Sequence, residues 1–187
     1  MNYHISPNTS EFKKLYINLY SYSEIELIKI KRLCKINNIE LIDATTIQFI
    51  QLKNSKISFL HGDIPNSNDK NEHSIILLIE YQRYKMLLMG DATKNNELKL
   101  MKIYQLPKID ILKVGHHGSK TSSSELFINL IKPTISIISS GKNNKYHLPN
   151  RETLQTLRST NSSILNTQDV GEITLDLDHD LDIKSKN

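Results

Sequence analysis

Side chains that bind metals and move protons sit directly after apolar runs in this sequence. Asp110-Ile-Leu-Lys-Val-Gly-His116-His117-Gly-Ser119-Lys120 ends on two imidazoles, a hydroxyl and an ammonium. Leu88-Met-Gly-Asp91 puts a carboxylate straight after another apolar run, and Asn143-Asn144-Lys-Tyr-His147 carries a third histidine. Imidazoles and carboxylates ligate divalent ions and transfer protons. Adjacent imidazoles point in different directions, so one can ligate while the other faces substrate or a supporting partner. Lys113, Lys120, Lys142, Lys145 and Arg151 flank these loops, and a basic mouth suits a phosphate-containing substrate. Each group also has a plainer reading by itself. Asp91 would cap a helix beginning near Thr93, His147 would be a surface residue of a polar loop, and the lysines would be solvated.

These residues need strands that end together. Ile109 to Val114 has the length of a buried strand. Ser122 and Glu125 have capping-box spacing, so strand, polar loop and helix start follow in that order. Anions and metals bind at such strand ends. Upstream, Ser23 to Ile36 reads as a capped helix with Ile25, Ile28, Leu33 and Ile36 recurring near helical spacing, and Cys34 as a core residue. Tyr16, Tyr20 and Tyr22 read as a packed stripe. Short β-branched segments follow at Ile39–Ile42, Thr46–Leu52 and Lys56–Leu60, then a hairpin from Ser74–Tyr81 and Lys85–Met89. Helices are expected over Thr93–Leu106, Ser123–Ile131 and Arg151–Arg158, and strands over Thr134–Ser139, Ser163–Asn166 and Glu172–Ile183 around a Gln168–Gly171 turn. In the last strand the aspartates form a solvated face. The pattern predicts an α/β or α+β layered sheet with helices packed outside it.

Bulk properties narrow the class. The 187 residues, without repeats or linkers, fit one domain, with residues 1–22 as an unassigned leading segment. The longest apolar run, Ile75 to Ile79, is far below the roughly 20 residues of a membrane helix, and Met1 to Ser10 is too polar for a signal peptide. Cys34 is the only cysteine, so no internal disulfide forms and a cysteine-rich zinc site is excluded. The net charge of +4 is too mild to indicate nucleic acid by itself. The expectation is a soluble, cytoplasmic chain, or a soluble domain attached to a membrane protein.

The segment from Asn71 to Gly171 resembles the second half of a metallo-β-lactamase-fold hydrolase domain. It is most similar to the soluble domain at the carboxyl end of ComEC-type DNA-uptake competence proteins. The resemblance rests on Asn71-Glu-His-Ser74, Leu-Met-Gly-Asp91, and Asp110-Ile-Leu-Lys-Val-Gly-His-His-Gly-Ser-Lys-Thr-Ser-Ser123. It continues in Pro133 before Ile-Ser-Ile-Ile-Ser-Ser-Gly141, in Asn144-Lys-Tyr-His147-Leu-Pro149, and in Asn166-Thr-Gln-Asp-Val-Gly171. It implies an αββα sandwich with a dinuclear zinc or manganese centre that hydrolyses a phosphodiester. Asp91 would bridge the metals. His116 is assigned with it as a ligand, and His117, His147 and Lys120 as catalytic groups, although any of the three histidines could ligate. Ser119, Asn71, Ser74 and Asn144 would contact substrate.

One departure is large. The family's His-x-His-x-Asp-His motif is absent, and none of the seven histidines, His4, His61, His73, His116, His117, His147 and His179, is spaced as His-x-His. The fold's first strands are missing with it. The chain is therefore expected to be a partial domain, either a piece of a longer or split product or a degenerate member. It should bind metal weakly and lack hydrolysis by itself unless an upstream chain supplies ligands. Uncovered apolar sheet should leave it marginally stable and prone to self-association. Two rival expectations are a non-catalytic module binding nucleic acid or a partner protein, and a small-phosphoester hydrolase of the same fold.

Overall fold

The computed structural model describes residues 13–178 and 180–186. His4, His179 and the polar start of the chain lie outside the described residues. Two compact units divide the chain, Met1–Thr46 and Ile47–Asn187.

The first unit is a β-α-β element. Strands β1 (Lys14–Ile17) and β2 (Glu40–Asp43) pair in parallel, joined by helix α1 (Glu24–Ile36). The capping box expected at Ser23 and Glu26 is present, and Asn37 ends the helix. The apolar stripe is a correction to the sequence reading. Cys34 is buried, whereas Ile25, Ile28, Leu33 and Ile36 are 61–68% exposed. Leu27, Ile30 and Cys34 form the more protected side. Tyr20 and Tyr22 are likewise exposed.

The second unit is a mixed seven-stranded sheet with helices, consistent with an α+β sandwich. Its strands are β3 (Phe49–Gln51), β4 (Ser55–Leu60), β5 (Ile76–Tyr81), β6 (Tyr84–Leu88), β7 (Ile111–Lys113), β8 (Ile135–Ile138) and β9 (Ser163–Asn166). They lie side by side in sequence order. Pairing is antiparallel from β3 to β6 and parallel from β6 to β9. Helices α2 (Lys94–Ile103), α3 (Glu125–Ile131) and α4 (Arg151–Ser159) are the crossovers of the parallel half.

Strand alternation sorts the sheet into two faces. Leu87 and Leu112 share one register row and pack with Leu100, Phe127, Ile128, Ile131 and Leu157 of the three helices. The opposite face carries a row running Phe59, Leu77, Leu88, Lys113, Ile137 and Leu165 across six strands. Lys113 is the one charged residue of that row. Strands β5 and β7 each have neighbours on both sides, so the sheet edges are β3 and β9.

Several local readings change. The run Glu172–Ile183 is two strands, β10 (Glu172–Asp176) and β11 (Asp182–Lys186), paired antiparallel. Its turn is fixed from afar: Tyr81 Oη donates to Asp178 Oδ1, Arg83 pairs with Asp180, and Leu181 N–H donates to Tyr84 Oη. The aspartates are solvent-exposed, as expected. Residues Thr167–Val170 form a short helix, α5, capped by Asn166, in place of a turn. Ala44–Thr46 is 3-10 helix, and β3 begins only at Phe49. Helix α3 is capped by Ser124, not Ser122, because Ser123 takes a left-handed φ of 57° and breaks the capping-box geometry. Ser122 is buried instead, donating to the carbonyls of Gly115 and Ser119.

Candidate functional site at the strand ends

The parallel strands β6, β7 and β8 end on the same edge of the sheet, so their following loops are neighbours. Crevices at carboxyl ends of parallel strands are where open sheets bind ligands.

The first loop reverses sharply at Gly90, with φ +57°. A Cβ there would lie 3.3 Å from the Ile75 carbonyl oxygen and from Ser74 Cβ. Asp91 follows, its N–H donating to Ser74 Oγ at 3.1 Å. Ser74, expected to touch substrate, thus holds the aspartate's backbone. Helix α2 is capped by Thr93 with Asn96, which leaves the Asp91 carboxylate free of capping duty. Its side chain is about half exposed.

The second loop, Gly115–Gly118, has three consecutive left-handed residues, His116 (φ 47°), His117 (φ 53°) and Gly118 (φ 81°). Such backbone costs about 1–3 kcal/mol per non-glycine residue and persists only where surrounding contacts over-determine it. The contacts are identifiable. His116 N–H donates to the Gly90 carbonyl at 3.0 Å, and Asn150 N–H to the Gly118 carbonyl at 2.9 Å. Lys120 N–H donates to Asn150 Oδ1 at 2.8 Å, and Thr153 Oγ1 to the Ser119 carbonyl at 3.1 Å.

This backbone aims the two imidazoles apart. His116 Nδ1 pairs with Thr121 Oγ1 at 3.1 Å, and Ser119 Oγ lies 2.9 Å from the same hydroxyl. His117 Nε2 lies 3.5 Å from Asp91 Oδ1, while its Nδ1 lies 2.7 Å from the Ser139 carbonyl. A carbonyl only accepts, so Nδ1 carries the proton there. Nε2 then faces a carboxylate oxygen, at a spacing that a shared proton or a bound cation would bridge. Two donors on one tetrahedral zinc, each at roughly 2.1 Å, stand about 3.4 Å apart. The imidazole brought to Asp91 is thus His117, while His116 turns to Thr121.

The third loop is stapled from within. The Asn144 side chain donates to the carbonyls of Gly141 and Leu148 at 3.0 and 2.7 Å, and accepts from Leu148 N–H at 2.9 Å. That amide, expected to bind substrate, is engaged by the loop itself. His147 is exposed at φ 53°. The loop reaches the second one through Pro149, which abuts Gly118. Asn71 belongs to the 3-10 turn Lys70–His73 that precedes Ser74, and its N–H donates to Asp69 Oδ1.

Three supporting groups carry little sequence signal. Lys113 sits in the apolar row below the site; burial pushes its ammonium below its ordinary pKa, against the attraction of Asp91. Its one sequence cue is a lysine within a buried strand. Glu72, a buried carboxylate, is held below its usual range by hydrogen bonds from Ser67 and then Asn95. Glu97 on α2 is 1% exposed, and its carboxylate accepts from the N–H groups of Ser123 and Ser124 at 2.5 and 2.8 Å. It thereby anchors the far end of the histidine loop.

Burial raises the Glu97 pKa despite those hydrogen bonds. With a folded pKa above the unfolded value near 4.3, the native state binds the extra proton. Its contribution therefore falls as pH rises from about 4 through the folded pKa. Glu97→Gln should flatten that fall, so that the variant's melting temperature gains on the parent's as pH increases. A difference that shrinks with rising pH would show that the N–H bonds outweigh burial.

No protein-family model matches the chain. It is 34% identical over 161 residues to ComE operon protein 3 of Bacillus subtilis (strain 168), a match covering 86% of this chain and 21% of that protein. It is 37% identical over 110 residues to Recombination protein 2 of Haemophilus influenzae, covering 59% of this chain and 14% of that one. Competence protein ComA of Neisseria gonorrhoeae is 31% identical over 120 residues, covering 64% of this chain and 17% of its own length. The chain is thus similar to proteins named for competence and recombination, and it spans about a fifth or less of their length.

Proposed function

We propose that this chain is the nucleic-acid-handling part of a competence-type protein of the metallo-β-lactamase fold. In this reading Asp91 and His117 hold a divalent cation, zinc or manganese, beside a phosphodiester. The observation that carries it is the 3.5 Å approach of His117 Nε2 to Asp91 Oδ1, with Nδ1 engaged by the Ser139 carbonyl. A ring nitrogen bonded to a carbonyl is how metal-ligating histidines fix their tautomer. The cation would polarise a phosphoryl oxygen. The chain's own contributions are binding and orientation: Lys120 at the mouth attracts phosphate, and the Ser139 carbonyl keeps the Nε2 lone pair available.

The fit is partial. Among the described residues no group of three His, Cys, Asp or Glu gathers to hold an ion, and a tetrahedral catalytic site uses three protein ligands. Hydrolysis then needs ligands from another segment or chain, and the described residues support binding without turnover. No described helix is long and apolar enough to cross a membrane.

Calorimetric titration with manganese or zinc tests this. One site weaker than micromolar is expected, weakened about tenfold or more in Asp91→Asn and in His117→Gln. Unchanged binding in both variants would remove the metal reading. Cleavage of DNA by the purified chain, lost in both variants, would instead establish a working hydrolase made from this chain alone.

A further inference from the structure

The third loop holds a feature that neither metal binding nor catalysis uses. Tyr146 is 67% exposed at its tip. The ring is displayed by a built scaffold: Asn144 closes the loop with three hydrogen bonds, and His147 N–H donates to the Asn144 carbonyl at 3.1 Å. Beyond it, Pro149 and Asn150 fasten the loop to Gly118 and Lys120. The Lys145 ammonium lies 4.7 Å from the ring centroid, over one face. Tyr146 remains largely exposed with that cation in place. Lys142 and Lys145 belong to the same loop, Lys120 lies in the loop it is fastened to, and all three are exposed.

We propose that this loop is a single-strand-binding element in which Tyr146 stacks on an unpaired nucleic-acid base while Lys142, Lys145 and Lys120 hold the adjoining phosphates. The inference rests on the nucleic-acid reading above and narrows its substrate class. A fixed aromatic with cations beside it is the arrangement that grips single strands without sequence preference. Base faces inside a duplex are already stacked, so a duplex meets only the lysines. The scaffold matters because a ring already held in place loses little freedom on binding. A strand bound here is led past Gly118 towards Asp91 and His117.

The test is fluorescence anisotropy of the full chain with a short labelled oligothymidylate and with a duplex of equal length, over a series of salt concentrations. The single strand should bind more tightly. Tyr146→Ala should weaken it by about 5- to 150-fold, the range for one base–aromatic stack, and leave duplex binding and the salt slope unchanged. Tyr146→Phe should restore it. Lys145→Ala should instead reduce the salt slope. Equal single-strand affinity for Tyr146→Ala and the parent would overturn the proposal. So would failure of Phe to rescue, or equal loss on both substrates. If neither oligonucleotide binds at low salt, the nucleic-acid reading itself fails, and this one with it.

Discussion

Gly118→Ala is expected to destabilise the protein by about 2–5 kcal/mol. Gly118 has φ +81°, and a Cβ built there falls 2.6 Å from Pro149 Cβ and 3.2 Å from Pro149 Cα. The left-handed conformation costs an alanine roughly 1–2 kcal/mol. Forcing an extra methyl into a packed site costs about 1–3 kcal/mol more. Proline cannot rotate out of the way, because its ring is part of the backbone. The histidine loop and the Asn144 loop must therefore move apart. The strained His116–His117 segment loses the neighbour that fixes it, and His117 drifts from Asp91. Urea unfolding should show a lowered midpoint with an unchanged slope, and metal binding should fall in parallel. A variant within about 0.5 kcal/mol of the parent, the usual span for surface changes, would mean the two loops are not coupled at this contact.

Phe127→Ala is expected to cost about 3–5 kcal/mol. Phe127 is 1% exposed, in the first turn of α3, packed in the core between the helices and the sheet. Its ring packs in the core cluster, and its N–H is held by Ser124 Oγ at 3.4 Å. A domain margin of about 5–15 kcal/mol would lose about a fifth or more. Leu126, the preceding residue, is 70% exposed, so Leu126→Ala should stay within about 0.5 kcal/mol. Comparable losses in the two variants by thermal or urea unfolding would contradict the placement of α3 on the sheet.

The helix order and the strand-loop-helix frame around His116 are legible in the sequence, because buried strands read as apolar runs and Gly90 and Gly115 punctuate them. The Ser23–Glu26 cap is legible because both partners are local. What escapes the sequence depends on distant contacts or on backbone handedness. Ser122 and Ser124 are both plausible caps for α3, and the left-handed Ser123 decides between them. Which imidazole faces Asp91 is set by two left-handed residues that no local preference for helix or strand encodes. The break between β10 and β11 depends on Tyr81 and Arg83, nearly a hundred positions upstream. The apolar spacing of α1 gave the right helix, but Cys34 lies on the protected side and the four large aliphatics on the other.

Strand order in space repeats strand order in the chain from β3 to β9. During synthesis each strand therefore emerges beside a neighbour already made, across a short turn, one helix-bearing crossover or, between β4 and β5, the loop that carries the 3-10 turn Lys70–His73. The sheet can grow one strand at a time, without waiting for a distant partner. The crevice is a late product of that growth: Asp91 is available once β6 is placed, His117 once β7 is, and the Ser139 carbonyl that fixes its tautomer only after β8 has docked. A nascent chain stalled before β8 would carry both donors with nothing to hold the imidazole in the tautomer that faces the carboxylate.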